Sequence, residues 1–582
     1  MLLGISGSIS KRKKESALIM RKQTKLVAVL STAALLAVGA SMTSFAATGW
    51  QEENGTWVYY SKSGDKETEK WEKSGDNWFY LNEDGEMTTD KIVEYNDQYY
   101  YVDENGAMVT NKWVSVENED YDGSNSDDPV NNWYYFGSNG KAYKTASSTN
   151  TATFKTINGK KYIFNDEGKM LYGWINAEGQ RETGDEKWRD GVYYCGDEND
   201  GAQALGWASL DIVDNNYTDD DAPGVSSSRV FDDENQTRWF YFNTNGKKYV
   251  SKDGKTINGK KYSFDQYGRM NAEWVAFGAT PTTATIASAG AGITATYGSA
   301  EYTDNWRYFG SPEDGARITK GWFKVVPDYY LNTSKYNDDE DSWYYSDRNG
   351  NLVAGKIETI NGKKYAFDEF GRMKDGLKFI KFKDNSKTQI AEILGDDNDR
   401  LPFDTEDNFK NNAPQLDAEG YYCYYFGNGD DGSMKTNKQT ISIDGESNTF
   451  LFNKSGGWKG AGKTGVDNKK YYQSGRMLAA SKDDKYSVVK EYTINVDGVD
   501  HTVYTLLTTD DFLNNESAVT KNRVTKSGYS DYQEITIASG AKYYLVNTAG
   551  TVQKSKNKAK DGNDNCYKVN GSGTIEAVFV ED

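Results

Sequence analysis

The chain has 582 residues and is rich in Gly (57), Tyr (43) and Trp (15) but poor in Pro (7). The aromatic content is high and the aliphatic content is low for one packed core of this length, which favours a repeat array over a single globule. Asp and Glu outnumber Lys and Arg by 87 to 68, which gives a formal net charge of −19 at pH 7. This balance argues against a nucleic-acid partner.

The N-terminus has the pattern of an export signal. Three basic residues within positions 21–25 precede an apolar run at 26–40, and small residues follow up to position 47. The run is short for a membrane anchor, and the small residues favour cleavage. We therefore expect residues 1–47 to be a signal peptide, with Met20 as the true start, and no membrane span after its removal.

A heptapeptide, TINGKKY, occurs three times, at 156–162, 256–262 and 359–365. In each copy two aromatics stand two positions apart, as in Tyr162 and Phe164, so they lie on one face of a short strand. The Asn-Gly pair before the strand and the Gly four residues after the second aromatic favour tight turns. Each copy is therefore predicted to be a β-hairpin.

Two further varieties of aromatic hairpin follow in a fixed order. Trp133, Trp239 and Trp343 open successive sets that are 106 and 104 residues apart, which explains the spacing of the heptapeptide. An isolated hairpin is only marginally stable in water, so each must bury its aromatic face against the next. The expected fold is an all-β solenoid of stacked short β-hairpins with long inserted surface loops.

The acidic or Ala/Thr/Gly-rich insertions at 115–129, 210–224 and 277–300 are predicted to be such loops, because a loop lengthens at little thermodynamic cost. The expected organisation has four parts in chain order. They are the signal peptide at 1–47, a first set of aromatic repeats at 48–113, three-hairpin super-repeats of about 100 residues at 114–480, and degenerate repeats with a cap at 481–582.

Two segments show a more specific resemblance. GWQEENGTWVYYSKSG at 49–64 and KWEKSGDNWFYLNEDGEM at 70–87 each place two tryptophans seven residues apart. These units resemble the cell-wall-binding, or choline-binding, repeat family. The INGKKYxF units are also similar to repeats in glucan-binding regions of secreted glucosyltransferases and in the C-terminal regions of clostridial toxins.

The resemblance implies aromatic cages between successive hairpins. Each cage would take the Trp of Gly-Trp, the Trp of Trp-Tyr-Tyr and a Tyr of the following hairpin. The positions that match are Trp50, Trp57 and Tyr80 for the first cage, and Trp71, Trp78 and Tyr100 with Met87 for the second. Beyond these, Val93 is expected at the next Gly-Trp tryptophan position. Long insertions separate Trp207 from Trp239 and Trp274 from Trp306, which weakens the pattern in later repeats.

The implied ligand is the choline of teichoic acid in a Gram-positive envelope, since quaternary ammonium groups bind over aromatic rings. The same rings could instead stack on the sugars of an α-glucan or a host glycan. The residues are compatible with both partners, a choline-bearing cell-wall polymer and a glucan.

An enzymatic function has little support in the residues. His501 is the single histidine, and no motif partners it; no His/Cys cluster suggests zinc, and no cofactor is expected. The acidic run at 395–407 lacks EF-hand spacing and is interpreted as a solvated loop. Cys195, Cys423 and Cys566 do not form a disulfide framework.

A pair of carboxylates could hydrolyse glycosides, so a peptidoglycan or glycan hydrolase is the alternative from another class. However, the repeats leave no stretch of about 150 residues for a catalytic domain. The favoured hypothesis is therefore a secreted, non-catalytic protein that attaches non-covalently to the cell wall of a Gram-positive bacterium.

Overall fold

The structure is a computed structural model that describes residues 48–582 except 126, 147–149, 216–230, 232, 278–297, 385 and 396–402. The signal peptide expected at 1–47 lies outside the described residues. The chain divides into two compact units, Met1–Leu171 and Tyr172–Asp582. Among the described residues, no helix has the length and apolar character needed to cross a membrane.

The first unit contains five antiparallel hairpins in its described part, each formed by two consecutive strands. Its core is the inner face of these hairpins, where Val58, Leu81, Val102 and Phe136 are fully buried. The strands are β1 (Gly49–Glu53), β2 (Thr56–Tyr60), β3 (Lys70–Ser74), β4 (Asn77–Leu81), β5 (Lys91–Tyr95), β6 (Gln98–Val102), β7 (Lys112–Glu117), β8 (Asn131–Phe136), β9 (Phe154–Ile157) and β10 (Lys160–Ile163).

In its described part, the second unit begins with six more hairpins, again formed by consecutive strands. Their strands are β11 (Gly173–Ile175), β12 (Tyr193–Cys195), β13 (Gly206–Val213), β14 (Asn235–Phe242), β15 (Lys252–Ile257), β16 (Lys260–Phe264), β17 (Trp274–Ala276), β18 (Trp306–Tyr308), β19 (Gly321–Val325), β20 (Ser342–Ser346), β21 (Lys356–Ile360) and β22 (Lys363–Phe367). Three short helices lie in the connections within these hairpins: α1 (Lys187–Asp190), α2 (Ala300–Thr303) and α3 (Thr333–Asn337).

The rest of the second unit forms larger antiparallel sheets, with strand orders β24-β23-β25, β26-β27-β30-β29-β28, β32-β31-β35 and β33-β34-β38-β37-β36. Their strands are β23 (Leu377–Phe382), β24 (Ile390–Leu394), β25 (Tyr422–Tyr425), β26 (Asn437–Ile443), β27 (Glu446–Phe452), β28 (Gly465–Asp467), β29 (Lys470–Gln473), β30 (Arg476–Met477), β31 (Tyr486–Val496), β32 (Val499–Leu507), β33 (Val519–Arg523), β34 (Tyr529–Ile537), β35 (Lys542–Asn547), β36 (Lys556–Lys560), β37 (Cys566–Val569) and β38 (Ile575–Glu581). The helix α4 (Glu406–Ala418), a 3₁₀ turn (Gly429–Asp431) and a π turn (Asp511–Asn515) complete this part.

The heptapeptide copies form the predicted hairpins β9–β10, β15–β16 and β21–β22. In the first, Asn158 (φ 48°) and Gly159 (φ 82°) form the tip, and Ile157 pairs with Lys160. Two successive residues with positive φ match the twist of the flanking strands, and Asn-Gly supplies both at low cost. The same tip recurs at Asn258-Gly259 and Asn361-Gly362.

A second turn follows each of these hairpins, and the side chain of the first residue in this turn caps the turn. The Asn165 Oδ1 accepts the backbone N–H groups of Glu167 (3.1 Å) and Lys169 (2.8 Å), and Gly168 has a φ of 84°. Asn and Asp are the residues that mimic a backbone turn in this way. The same cap, with acceptors at i and donors at i+2 and i+4, occurs at Asn82, Asp103, Asn243, Asp265, Asp347, Asp368, Asn547, Asp561 and Asn570.

Successive hairpins are joined by a backbone hydrogen bond from the residue after this second turn. The N–H of Met87 donates to the Trp57 carbonyl of the preceding hairpin (2.7 Å). A strand edge that would otherwise face water is thus partly paired. Equivalent bonds run from Met108 to Trp78, Ala142 to Tyr99, Met170 to Trp133, Lys248 to Val192, Met270 to Trp239, Arg317 to Lys261, Met373 to Trp343, Met434 to Lys364 and Gly462 to Cys423.

Methionine and glycine complete the stacking. A Cβ added to Gly140 would lie 2.4 Å from the Met108 sulfur, so this glycine is required by close approach as well as by its φ of 78°. Other methionines lie under a turn glycine in the same way: Met87 under Gly106, Met270 under Gly315, Met373 under Gly432 and Met434 under Gly460. The expected all-β fold of stacked hairpins is therefore confirmed within each unit.

Much of the predicted loops at 210–224 and 277–300 lies outside the described residues, but the strands on either side of each insertion are paired with each other. Residues 214–234 connect β13 to β14, yet the register still sets Trp207 opposite Tyr241. The helix α4 was not anticipated from sequence. It begins after Thr405, whose side chain accepts the Asn408 N–H, and Glu406 and Asp407 in its first turn favour the helix dipole.

Candidate functional site

Each Gly-Trp hairpin collects its aromatics on one face. In β1–β2, Trp50 stands opposite Tyr59 and Glu52 opposite Trp57, and directly opposed residues share a face. The Trp50 and Tyr59 ring centroids are 5.4 Å apart in an edge-to-face arrangement. The first tryptophan is thus held by its own hairpin before any neighbour contributes.

The next hairpin then presents one ring from its inner face to the same tryptophan. The centroid distances are 5.4 Å from Trp50 to Phe79 and 5.1 Å from Trp71 to Tyr100. The first tryptophans therefore form the seam between hairpins. The same arrangement joins Trp113 to Tyr162 (4.9 Å), Trp174 to Phe240 (5.1 Å), Trp207 to Tyr262 (4.8 Å), Trp274 to Tyr344 (5.1 Å) and Trp322 to Tyr365 (4.8 Å).

The structure brings together only part of each predicted cage. Tyr80, expected beside Trp50 and Trp57, stands opposite Trp71 in the next hairpin, with centroids 5.3 Å apart. The ring that contacts Trp50 from the following hairpin is Phe79, so the predicted third ring was one residue too far along the strand.

In the second predicted cage, the contact between Trp71 and Tyr100 is present, with centroids 5.1 Å apart. Trp78 is 41% exposed. Among the ring pairs of the described residues, none includes Trp57 or Trp78. Each of these two tryptophans nevertheless shares a face with the first tryptophan of its own hairpin, and Trp57 is half-buried.

Two further predicted positions have a structural explanation. Met87 packs its side chain under Gly106 and pairs its N–H with the Trp57 carbonyl, so it joins hairpins. The expectation that Val93 replaces the next Gly-Trp tryptophan was wrong by one residue. Ile92 pairs with Tyr101 as Trp71 pairs with Tyr80, whereas Val93 is 5% exposed on the opposite face.

In the described part of the second unit, both tryptophans of a hairpin meet a tyrosine of the following hairpin at three places. One of them, Trp274 with Trp306 (6.3 Å) and Tyr344 (5.1 Å), is buried, and the other two are named ring sets A and B. In ring set A, Trp207 lies 6.2 Å from Trp239 and 4.8 Å from Tyr262. In ring set B, Trp322 lies 6.3 Å from Trp343 and 4.8 Å from Tyr365. Sequence reasoning missed set A because an insertion separates its tryptophans. The signal that could have found it is the recurring Gly-Trp and Trp-Tyr-Tyr order.

The two sets differ in how far they are exposed. Tyr262 of set A is 8% exposed, whereas all three rings of set B are only partly buried. Burial raises the pKa of Tyr365, so it stays a neutral phenol. Set B is therefore the more accessible of the two.

Charged groups border set B. The Trp343 indole Nε1 donates to Asp430 Oδ1 (2.8 Å), and Lys324 Nζ lies 3.5 Å from the same oxygen. The Trp343 hydrogen bond, followed by the charge of Lys324, lowers the pKa of Asp430. An ionised carboxylate thus stands at the edge of this aromatic face.

A separate cavity of about 270 Å³ lies where α1 meets the β13–β14 hairpin. Trp174 and Trp188 contribute to its wall, and the Thr237 hydroxyl donates to Asp211 Oδ1 at its rim (2.6 Å). Asp185, Lys187, Asn235 and Gln236 add further polar groups. Such a mixed lining can hold a small polar ligand.

Other candidate chemistry from the sequence is placed as follows. His501 lies on β32, the edge strand of its sheet. Cys195, Cys423 and Cys566 are free and buried, and burial raises the pKa of the Cys195 thiol to about 12. In the part of the chain that the structure describes, no group of three His, Cys, Asp or Glu side chains is placed to hold a metal ion.

The curated relatives share only part of their length with this chain. It is 26% identical over 277 residues to Glucosyltransferase-S of Streptococcus mutans serotype c, which is 42% of this chain and 16% of that protein. The chain thus spans less than a fifth of the length of this relative.

Two solved structures from Streptococcus pneumoniae share partial similarity. The choline-binding domain of CbpL has 20% identity and a TM-score of 0.23, and the match covers 39% of this chain and 90% of that one. The modular autolysin LytC has 17% identity and a TM-score of 0.28, with coverage of 58% and 55%.

Family models match three segments of the chain. The choline-binding repeat model matches residues 68–113. The putative cell wall binding repeat model matches residues 48–64 and 128–142. These segments contain β1–β6 and the Trp133 strand, whose hairpins carry the aromatic faces described above. The chain therefore carries repeats of the choline-binding, or cell-wall-binding, repeat family.

Proposed function

We propose that this protein is a secreted, non-catalytic cell-wall-binding protein that attaches to choline-bearing envelope polymers through ring sets between its hairpins. Ring set B carries this proposal, because it groups two tryptophans and a tyrosine that remain partly exposed. The predicted positions Trp50, Trp57, Tyr80, Trp71, Trp78, Tyr100 and Met87 belong to the same proposal as weaker candidate sites.

Weak sites suffice for such attachment. A quaternary ammonium over an exposed ring gains about 0.5–1 kcal/mol, and about 2 kcal/mol when it is desolvated. One set of three rings therefore gives millimolar affinity at best after the cost of association. Several sets on one chain that face a polymer with many identical groups convert this weak affinity into avidity.

Secretion and a location at the cell wall of a Gram-positive bacterium are part of the proposal. They are supported by the signal-like segment at 1–47 and by the repeats at 48–64, 68–113 and 128–142. The proposed partner is choline-substituted teichoic acid, with no nucleic acid and no cofactor involved.

Calorimetric titration of the full chain with choline tests the proposal. We expect binding heat with millimolar affinity and a clear loss in a Trp239→Ala, Trp343→Ala double variant. Tyr121→Ala is the matched control, because Tyr121 is an aromatic that is 42% exposed outside the ring sets. Heat with maltooligosaccharides or dextran but none with choline would contradict the proposal.

The second candidate function is binding of a glucan or another glycan, and the 270 Å³ cavity favours it. Asp211, Asn235 and Thr237 line the cavity with polar groups that suit sugar hydroxyls, although Trp174 and Trp188 are themselves buried. The similarity to a glucosyltransferase over 277 residues also supports this candidate. Under this alternative, Asn235→Ala with Thr237→Val should abolish maltotriose binding and leave any choline response unchanged.

A further inference from the structure

Ring set B differs from ring set A in its charged neighbours, although the two sets occupy equivalent places in successive super-repeats. Lys324 stands opposite Trp343 in set B, whereas Ser209 stands opposite Trp239 in set A. The comparison of these two positions isolates what a lysine adds beside the rings.

The turns that cover the two sets also differ. Asp430 and Glu313 each stand two residues before the glycine that lies over the methionine of the set, Gly432 over Met373 and Gly315 over Met270. Glu313 accepts a hydrogen bond from the Ser311 hydroxyl (2.7 Å). Asp430 instead accepts the indole N–H of Trp343 (2.8 Å).

The other carboxylates near set B have partners of their own, and Glu358, which stands opposite Tyr365, pairs with Lys356 (3.0 Å). Asp431 accepts from the Ser433 hydroxyl (2.6 Å) and forms an ion pair with Lys435. Asp341 shares Lys324, with Nζ 3.5 Å from its Oδ1. Asp430 is therefore the carboxylate that is fixed to a ring of the set.

We infer that Asp430 makes ring set B selective for organic cations over neutral ligands of the same shape, and that Lys324 competes with the ligand for this carboxylate. This inference rests on the proposed function and extends it to the selectivity of one site. A carboxylate a few ångströms from a bound ammonium adds attraction that an uncharged ligand does not feel.

Lys324 acts as a tethered cation at the edge of the set. Its side chain is 37% exposed and that of Asp430 is 73% exposed, so the pair is weak and exchangeable. A bound quaternary ammonium that approaches Asp430 is repelled by Lys324. Removal of the lysine charge should therefore strengthen cation binding, whereas removal of the aspartate charge should weaken it.

The test uses the full chain labelled for ¹H–¹⁵N spectroscopy of the tryptophan indoles. The Trp343 signal is assigned with Trp343→Phe, and it reports directly on the bond to Asp430. Choline is compared with 3,3-dimethylbutan-1-ol, an uncharged molecule of the same shape. Asp430→Asn should weaken choline binding at this signal about fivefold and leave the alcohol unchanged.

Lys324→Gln should tighten choline binding at the same signal about two- to fivefold. Glu313→Gln, the matched control from set A, should change neither affinity at Trp343. If Asp430→Asn leaves choline binding unchanged, or if Lys324→Gln weakens it, Asp430 is only an anchor for the indole and the inference is wrong.

The outcomes separate this inference from the proposed function. If choline shifts other indole signals but not that of Trp343, the inference fails while the proposed function stands. If no indole signal responds to choline, both fail.

Discussion

The hairpins at 48–113 and the ring sets of the second unit contain the same residue types. The first are recognised from the spacing of their tryptophans in the sequence, and the second are recognised from the structure. In the first region the tryptophans are seven residues apart and the family models match, yet Trp78 is 41% exposed and lies outside the ring pairs of the described residues. In the second unit an insertion separates Trp207 from Trp239, and their rings still meet at 6.2 Å. Spacing in sequence therefore identifies a repeat only where the hairpin tip is short, whereas the register, which is the same in both regions, places the two tryptophans of a hairpin on one face.

This difference has a physical origin in the antiparallel ladder. Residues that are directly opposed share a face whatever the length of the tip that joins their strands. A long insertion at a hairpin tip removes the sequence pattern but leaves the face unchanged. The proposals above therefore rest on the register more than on the match to a family model.

The largest expected effect contrasts a seam tryptophan, Trp322, with an exposed tryptophan, Trp78. Trp322 contacts Tyr345, Tyr365 and Phe367, so Trp322→Ala should cost about 3–5 kcal/mol of local stability. Trp78→Ala should cost less than about 1 kcal/mol. Hydrogen-exchange mass spectrometry of the β19–β22 and β3–β4 amides measures both. Equal losses would show that the two regions do not differ in this way.

The second prediction compares two capped turns. Asp368 is 2% exposed and accepts from Arg372 Nε (2.8 Å) and Lys374 Nζ (3.0 Å), so Asp368→Asn should destabilise its hairpin by about 3 kcal/mol. Asp103 caps its turn through Asn105 and Ala107, and Asn can replace it, so Asp103→Asn should change stability by less than about 0.5 kcal/mol. Hydrogen exchange of the two turns checks both values.

The third prediction concerns how the stability difference between wild type and Asp368→Asn depends on pH. Burial opposes ionisation of Asp368, but Lys374 and Arg372 outweigh it and hold its pKa below the usual 3.8. Because the folded pKa is the lower one, the stabilisation is complete above about pH 4 and is lost as the pH falls through the folded value. The advantage of wild type over Asp368→Asn should therefore shrink between pH 4 and pH 2, whereas a constant advantage would contradict the ion-pair explanation.

The smallest expected difference is between two glycine substitutions. One tests the backbone strain at positive φ alone, and the other tests this strain together with a steric clash. Gly362 has a φ of +81° with nothing within 4 Å of an added Cβ, so Gly362→Ala should cost only the backbone strain, about 1–2 kcal/mol. In Gly432→Ala the added Cβ would lie 2.2 Å from the Met373 sulfur, so about 1–3 kcal/mol more is expected. If Met373→Ala in the Gly432→Ala background restores exchange protection, the steric explanation is supported.

Much of the fold could be predicted from local sequence. Asn158-Gly159 specifies its own turn, and Tyr162 and Phe164 specify a strand face, because these signals act over a few residues. The helix α4 could not be predicted, since its cap at Thr405 and its packing of Phe409 into the core lie within a segment without helical periodicity.

The candidate site was predicted less well, because it depends on contacts between hairpins. Side chains alternate along a strand, so an error of one residue moves a ring to the opposite face. This is why Tyr80 was expected where Phe79 lies and Val93 where Ile92 lies. The closure of Trp207 on Trp239 needed the pairing of β13 with β14, which sequence spacing does not show.

The hydrogen bond from the Met87 N–H to the Trp57 carbonyl recurs along the chain, and each time the donor lies in the later hairpin and the acceptor in the earlier one. Each hairpin receives its last backbone donor from its successor, so during synthesis on the ribosome it stays incomplete until that successor emerges. Removal of a hairpin therefore leaves an unpaired carbonyl on the hairpin before it and an unpaired N–H on the hairpin after it. Folding should advance from the N-terminal end, with only the newest hairpin still exposing an unpaired carbonyl.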